Sequence, residues 1–110
     1  MKVFISGKIT DKETGLPIKE LMEKFYTIEY FLTHTFGFDV VNPIELCRDI
    51  EPTKENYPKF LGRCIESVLI CDAIFMLDNW KDSDGSMIEN YTAIIKGKEI
   101  MFESDGYKQQ

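Results

Sequence analysis

CDAIFMLDNWKDSDGSMIE, residues 71–89, is the stretch whose reading decides the fold. Ala73 to Leu77 is a short apolar run of the kind that forms a strand buried on both faces. Asp78 to Gly85 is a polar, glycine-containing loop. A helix then opens, with Glu89 expected in its first turn. In an open α/β sheet, ligands sit past the carboxyl ends of strands and at helix N-termini. The same residues therefore propose both an architecture and a place for a ligand.

Working outward, the same alternation recurs. Lys2 to Ser6 (KVFIS) reads as a strand halted by Ser6-Gly7. Pro17 suits the first turn of a helix. Ile18, Leu21, Met22, Phe25, Ile28, Leu32 and Phe36 then recur at spacings of three and four, as on one apolar helix face. Gly37 is placed to stop that helix. Phe38 to Val41 reads as a second strand ended by Asn42-Pro43. Residues 44–55 look irregular, with room for one helical turn. A helix is expected from Asn56 and Pro58, with Phe60, Leu61, Cys64, Ile65, Val68 and Leu69 inward. After the third strand comes a helix from about Ser86 to Lys96, ended by Gly97, and then a fourth strand, Glu99 to Phe102.

The pattern βαβαβαβ implies a parallel sheet with helices on both faces. The expected fold is a flavodoxin-like or Rossmann-like doubly wound sheet of order 2-1-3-4. Its switch point lies between strands one and three, so Ser6-Gly7 and Leu77-Asp78 face one crevice. Residues 1–103 are expected to form this single domain and 104–110 a polar tail. At 110 residues the chain suits one domain, with 44% hydrophobic residues.

Composition narrows the function. A net charge of −6 with scattered lysines argues against a nucleic acid polymer, which needs clustered Lys and Arg. No apolar run approaches the ~20 residues of a membrane span. Cys47, Cys64 and Cys71 are odd in number, lack a CxxC spacing and follow no signal peptide, which fits a reducing cytoplasm. They read as small buried hydrophobes rather than as metal ligands. His34 has no Cys or His partner in sequence and reads as a helix-surface residue. No metal site is expected.

The chemistry-bearing candidate is Glu89. A carboxylate in a crevice can attack an anomeric carbon and form a glycosyl ester through an oxocarbenium-like transition state, and a helix N-terminus would help keep it ionised. The competing reading is a capping box, Ser86-Met87-Ile88-Glu89, in which the carboxylate only bonds the cap backbone. Ser83 and Gly85 could meet a phosphate, although loops are rich in both types. Trp80 could stack on a base or simply cover the crevice. Asp78 is expected to point toward the crevice and contact a polar ligand, and Asp72 to be structural. Ser6, Gly7 and Lys8 form a turn able to offer amides to an anion.

Together these segments resemble the nucleoside 2-deoxyribosyltransferase-like superfamily, which includes deoxynucleoside 5'-monophosphate N-glycosidases, and in particular its short bacterial and phage members. The residues that carry the likeness are VFISGKIT at 3–10, VVNPIEL at 40–46, CDAIFMLDNW at 71–80 and S-x-G-x-x-x-E at 83–89, followed by Ala93 and Gly97. The resemblance implies cleavage or transfer at the N-glycosidic bond of a (deoxy)nucleoside or its 5'-monophosphate. Glu89 would be the nucleophile, Ser83 a contact to base or phosphate, and residues 6–8 a lining for sugar and phosphate. It also implies a homo-oligomer and no metal or organic cofactor. The chain departs from active branches at one position: their helix aspartate, eight residues before the strand-opening aspartate, falls on Cys64. A thiol is a poor proton donor to a departing base. The alternative is a non-catalytic nucleotide-binding module, a sensor or regulator, using the same crevice.

Overall fold

In a computed structural model, residues 1–105 are described. They form a four-stranded, all-parallel sheet of order β2-β1-β3-β4. The strands are β1 (Lys2–Ser6), β2 (Asp39–Val41), β3 (Ala73–Met76) and β4 (Glu99–Phe102), and the helices are α1 (Lys19–Phe36), α2 (Pro43–Leu46), α3 (Tyr57–Ile70) and α4 (Asp84–Ile95). The expected order is the observed one. The tail expected at 104–110 lies mostly outside the described residues.

Alternation along the central strands divides the core into two layers. Val3 and Ile5 of β1, with Phe75 of β3, face α1, where Phe25, Ile28 and Leu32 are buried. Phe4, Ile74 and Met76 face the other way, onto Cys64 and Val68 of α3 and Ala93 of α4. Each such large side chain contributes about 1.5–3 kcal/mol on burial. The period-two rule also fixes Ser6: two residues past Phe4, it lies on the α3/α4 side.

Several boundaries differ from expectation. Pro17 stands outside α1, in an isolated bridge with Thr10, so the loop 7–18 is pinned as a hairpin-like flap. α2 begins at Pro43, with Asn42 Oδ1 accepting from Ile44 N–H at 3.0 Å. Gly37 ends α1 at φ +70°, a conformation glycine adopts without cost. Leu69 lies outward from α3, 41% exposed, rather than in its buried side. Asp72 is structural as expected: its Oδ2 accepts from Lys2 N–H at 2.8 Å. His34 is exposed on α1, its ring stacked on Tyr30 at 3.9 Å.

The largest change concerns α4. It starts at Asp84, two residues earlier than expected. Ser83 is its N-cap, and the Ser83 hydroxyl accepts from Ser86 N–H at 3.2 Å. Glu89 therefore falls in the second turn, and Ser86 is not the cap. α4 also has an inverted face: Ser86, Glu89, Asn90 and Ala93 are buried, whereas Met87, Ile88, Tyr91, Ile94 and Ile95 are exposed.

Candidate active site

The site is assembled from β1 and α4. Ser6 ends β1 on the α3/α4 side, and Glu89 is on the inward face of α4. Ser6 Oγ donates to Glu89 Oε1 at 2.6 Å, and both are buried, at 1% and 7% exposure. The capping-box reading of Glu89 is thereby excluded: the carboxylate reaches across to β1 rather than back to its own helix start. Burial pushes the Glu89 carboxyl up to about 7, partly opposed by the Ser6 bond and reinforced by charge on Cys47. The expectation that the helix N-terminus holds it ionised fails for a positional reason. The second turn is beyond the strong field of the N-terminus, and burial dominates.

Glu89 lines a cavity of about 690 Å³ past the carboxyl end of β1. Gly7, Lys8, Ser83 and Gly85 line it too, as expected of ligand-contacting residues. Gly7 is required by close approach: a Cβ there would lie 2.7 Å from Leu77 Cδ1 and 2.9 Å from Leu77 Cβ. Lys8 cannot offer its amide to an anion, because that N–H donates to Asn79 Oδ1 at 3.0 Å. Ser6 is behind Glu89 rather than on the cavity wall, so its contact is with the carboxylate.

Two expected site residues lie elsewhere. Trp80 packs on the Phe4 and Ile74 layer, tilted against Phe102 at 6.2 Å, with Lys81 Nζ 5.6 Å from its ring centroid. Covering that layer buries its apolar ring, and it does not line the cavity. Asp78 is exposed and also outside the cavity wall. Its N–H donates at 2.9 Å to Glu103 Oε1, which Lys24 Nζ also meets at 3.0 Å. The chain leaves β3 at Met76 and turns toward the β4 side, which carries both residues away from the crevice.

Residues that the sequence did not mark as ligand contacts complete the wall. Ser86 lines the cavity, and its buried Oγ has no hydrogen-bond partner among the described residues. A helix cap and a wall hydroxyl look alike in sequence, so its role depended on which serine caps α4. Tyr57 brings its hydroxyl to Gly85, where a Cβ would sit 3.0 Å away. Burial, then the charges of Glu89, Asp84 and Cys64, push the Tyr57 phenol up, so it stays protonated. Cys47 and Cys64 also line the cavity, and their thiols act on each other. The Cys47 thiol, burial and the Glu89 charge push the Cys64 thiol well up. All three cysteines are free and buried. Among the described residues no group of three or more His, Cys, Asp or Glu side chains could hold a metal ion, and no helix is long and apolar enough to cross a membrane.

Fold and site together define a doubly wound α/β domain with a buried glutamate at the sheet's switch point. Residues 1–102 match the family described as Domain of unknown function (DUF4406), and the chain belongs to it. No curated protein matches the chain.

Proposed function

We propose that this protein acts on the N-glycosidic bond of a (deoxy)nucleoside or nucleoside 5'-monophosphate, as a nucleoside 2-deoxyribosyltransferase-like enzyme. The observation that carries the reading is the Glu89 carboxylate, held by Ser6 on one oxygen and set in the wall of a cavity large enough for a nucleotide. The carboxylate attacks C1', and the bond to the base breaks with its electron pair leaving on the base. A proton then neutralises the base. Water or a second base releases the glycosyl ester. A carboxyl near 7 is ionised in about half the molecules at neutral pH.

The proton donor is not Cys64, whose thiol is buried and pushed up by Cys47. The Tyr57 hydroxyl stays protonated, lines the same cavity and supplies the alternative. At the start of α4, Asp84 N–H and Gly85 N–H precede the first intrahelical donors, and the Ser83 hydroxyl keeps its own proton to give. A 5'-phosphate fits there, in a cavity that Lys8 and Lys12 also line.

The exposed apolar side of α4 supports a homo-oligomer. Met87, Ile88, Tyr91, Ile94 and Ile95 recur at helical spacing, and an isologous pair would lay this helix against its copy. Three free thiols fit a cytoplasmic location.

The test is trapping with a 2'-fluoro-2'-deoxynucleoside, free and as its 5'-monophosphate. A sugar-mass adduct should map to Glu89 and be absent in Glu89→Gln. Neither an adduct nor base release from any deoxynucleoside or monophosphate would remove the enzymatic reading. The Cys64 position favours a second reading, a nucleotide-binding module without turnover. Saturable binding of intact nucleotide, without release of base, would establish that one.

A further inference from the structure

Two of the three cysteines meet beside the carboxylate although they come from different elements. Cys47 is the C-cap of α2, and Cys64 is in the middle of α3. Their thiols are near enough to act on each other, both belong to one apolar cluster, and both line the cavity. Cys71 shares that cluster but does not line the cavity, and its sulfur engages Ser67. Near the Cys47 end of α2, Arg63 Nη1 donates to the Leu46 carbonyl at 3.2 Å, one residue before Cys47, and also pairs with Asp49.

We propose that Cys47 and Cys64 form an oxidisable dithiol that a small peroxide reaches through the cavity and converts to a disulfide. Cys47 sulfur, as thiolate, attacks one peroxide oxygen, the O–O bond breaks, and water leaves once the departing oxygen is protonated. Cys47 is then a sulfenic acid. Cys64 sulfur attacks it, the S–S bond forms, the S–O bond breaks, and the Cys64 proton leaves with the oxygen as a second water. One peroxide and two thiols become one disulfide and two waters.

The order of attack follows from the surroundings. The Cys64 thiol, then the Arg63 charge, pull the Cys47 thiol down despite burial, whereas Cys64 is pushed up. Cys47 is thus the attacking sulfur and Cys64 the resolving one. A peroxide is little larger than water, which is why burial does not protect the pair while it would exclude bulkier oxidants. Closing the bond ties α2 to α3 and clamps the intervening segment, whose Arg48, Ile50, Pro52 and Lys54 form one cavity wall. It also removes the sulfur charge that Glu89 senses.

The experiment treats reduced, folded protein with hydrogen peroxide and maps thiols by alkylation and peptide mass spectrometry without reductant. A single link, Cys47 to Cys64, with Cys71 still alkylatable, is expected, together with a raised Tm that dithiothreitol reverses. Cys64→Ser should stop at a sulfenic acid on Cys47, captured by dimedone, and Cys71→Ser should behave as wild type. Glu89→Gln should form the same link, so the outcome is independent of the glycosidic reaction. A link that involves Cys71, overoxidation of single thiols without a link, or two thiols untouched in the folded protein would overturn the proposal. Dimedone capture on Cys64 in Cys47→Ser as fast as capture on Cys47 in Cys64→Ser would overturn the order of attack.

Discussion

Ser6 Oγ donates a 2.6 Å hydrogen bond to Glu89 Oε1, joining the end of β1 to the second turn of α4 across 83 residues. The bond favours the charged carboxylate, while burial favours the neutral acid, and burial is the larger effect. Catalytic carboxyls are commonly tuned toward neutrality in this way.

Ser6→Ala should therefore raise the Glu89 carboxyl above about 7. Losing a partner from a buried group should also cost about 1–3 kcal/mol in stability at pH 8, where the carboxylate is charged. Carboxyl titration by NMR, with urea melts of both proteins, checks the two effects. An unchanged titration would show that the serine does not tune the acid.

The folded Glu89 carboxyl binds a proton more readily than the unfolded one, whose ordinary value is 4.5. Between these values the native state holds more protons than the unfolded state. Its stability contribution is thus complete below about pH 4.5 and is lost as pH rises through about 7, by roughly 3 kcal/mol in all. Glu89→Gln should abolish that slope and be more stable than wild type at pH 8. Equal pH dependence of the two proteins in denaturant melts would refute the assignment.

Gly7→Ala places a Cβ 2.7 Å from Leu77 Cδ1 and 3.0 Å from Asn79 Oδ1. The Leu77 neighbour is fully buried, so the strand ends must shift. A loss of about 1–3 kcal/mol is expected, as for other overpacked sites. A Tm within a degree of wild type would contradict the tight crossing.

Tyr91→Asp with Ile94→Asp alters only the outward side of α4, where both residues are more than half exposed. Exposed substitutions of this kind change monomer stability by within about 0.5 kcal/mol each. Sedimentation should show wild type as an oligomer and the double variant as a monomer with an unchanged far-UV spectrum. A monomeric wild type would leave the apolar stripe without this explanation.

The sheet was legible in the sequence because its signals are local: short apolar runs, helical spacing in α1, and glycines at helix ends. Strand order followed because parallel connections leave few layouts. The start of α4 was not legible. DSDGSMIE holds two serines able to cap, and only the three-dimensional course of the loop selects Ser83 over Ser86. That choice moved Glu89 from a cap position to a site position. Trp80 and Asp78 were misplaced because their loop has no periodicity to show which way it turns. The meeting of Cys47 with Cys64 was invisible for the same reason: neither belongs to a motif, and α2 is a single short turn.

The bond between residues 6 and 89 carries a consequence for biosynthesis. During synthesis on the ribosome, the first strand emerges long before the helix that supplies the acid. A nascent or prematurely terminated chain then carries only one half of the pair. The buried bond comes into being only once that helix has joined the sheet.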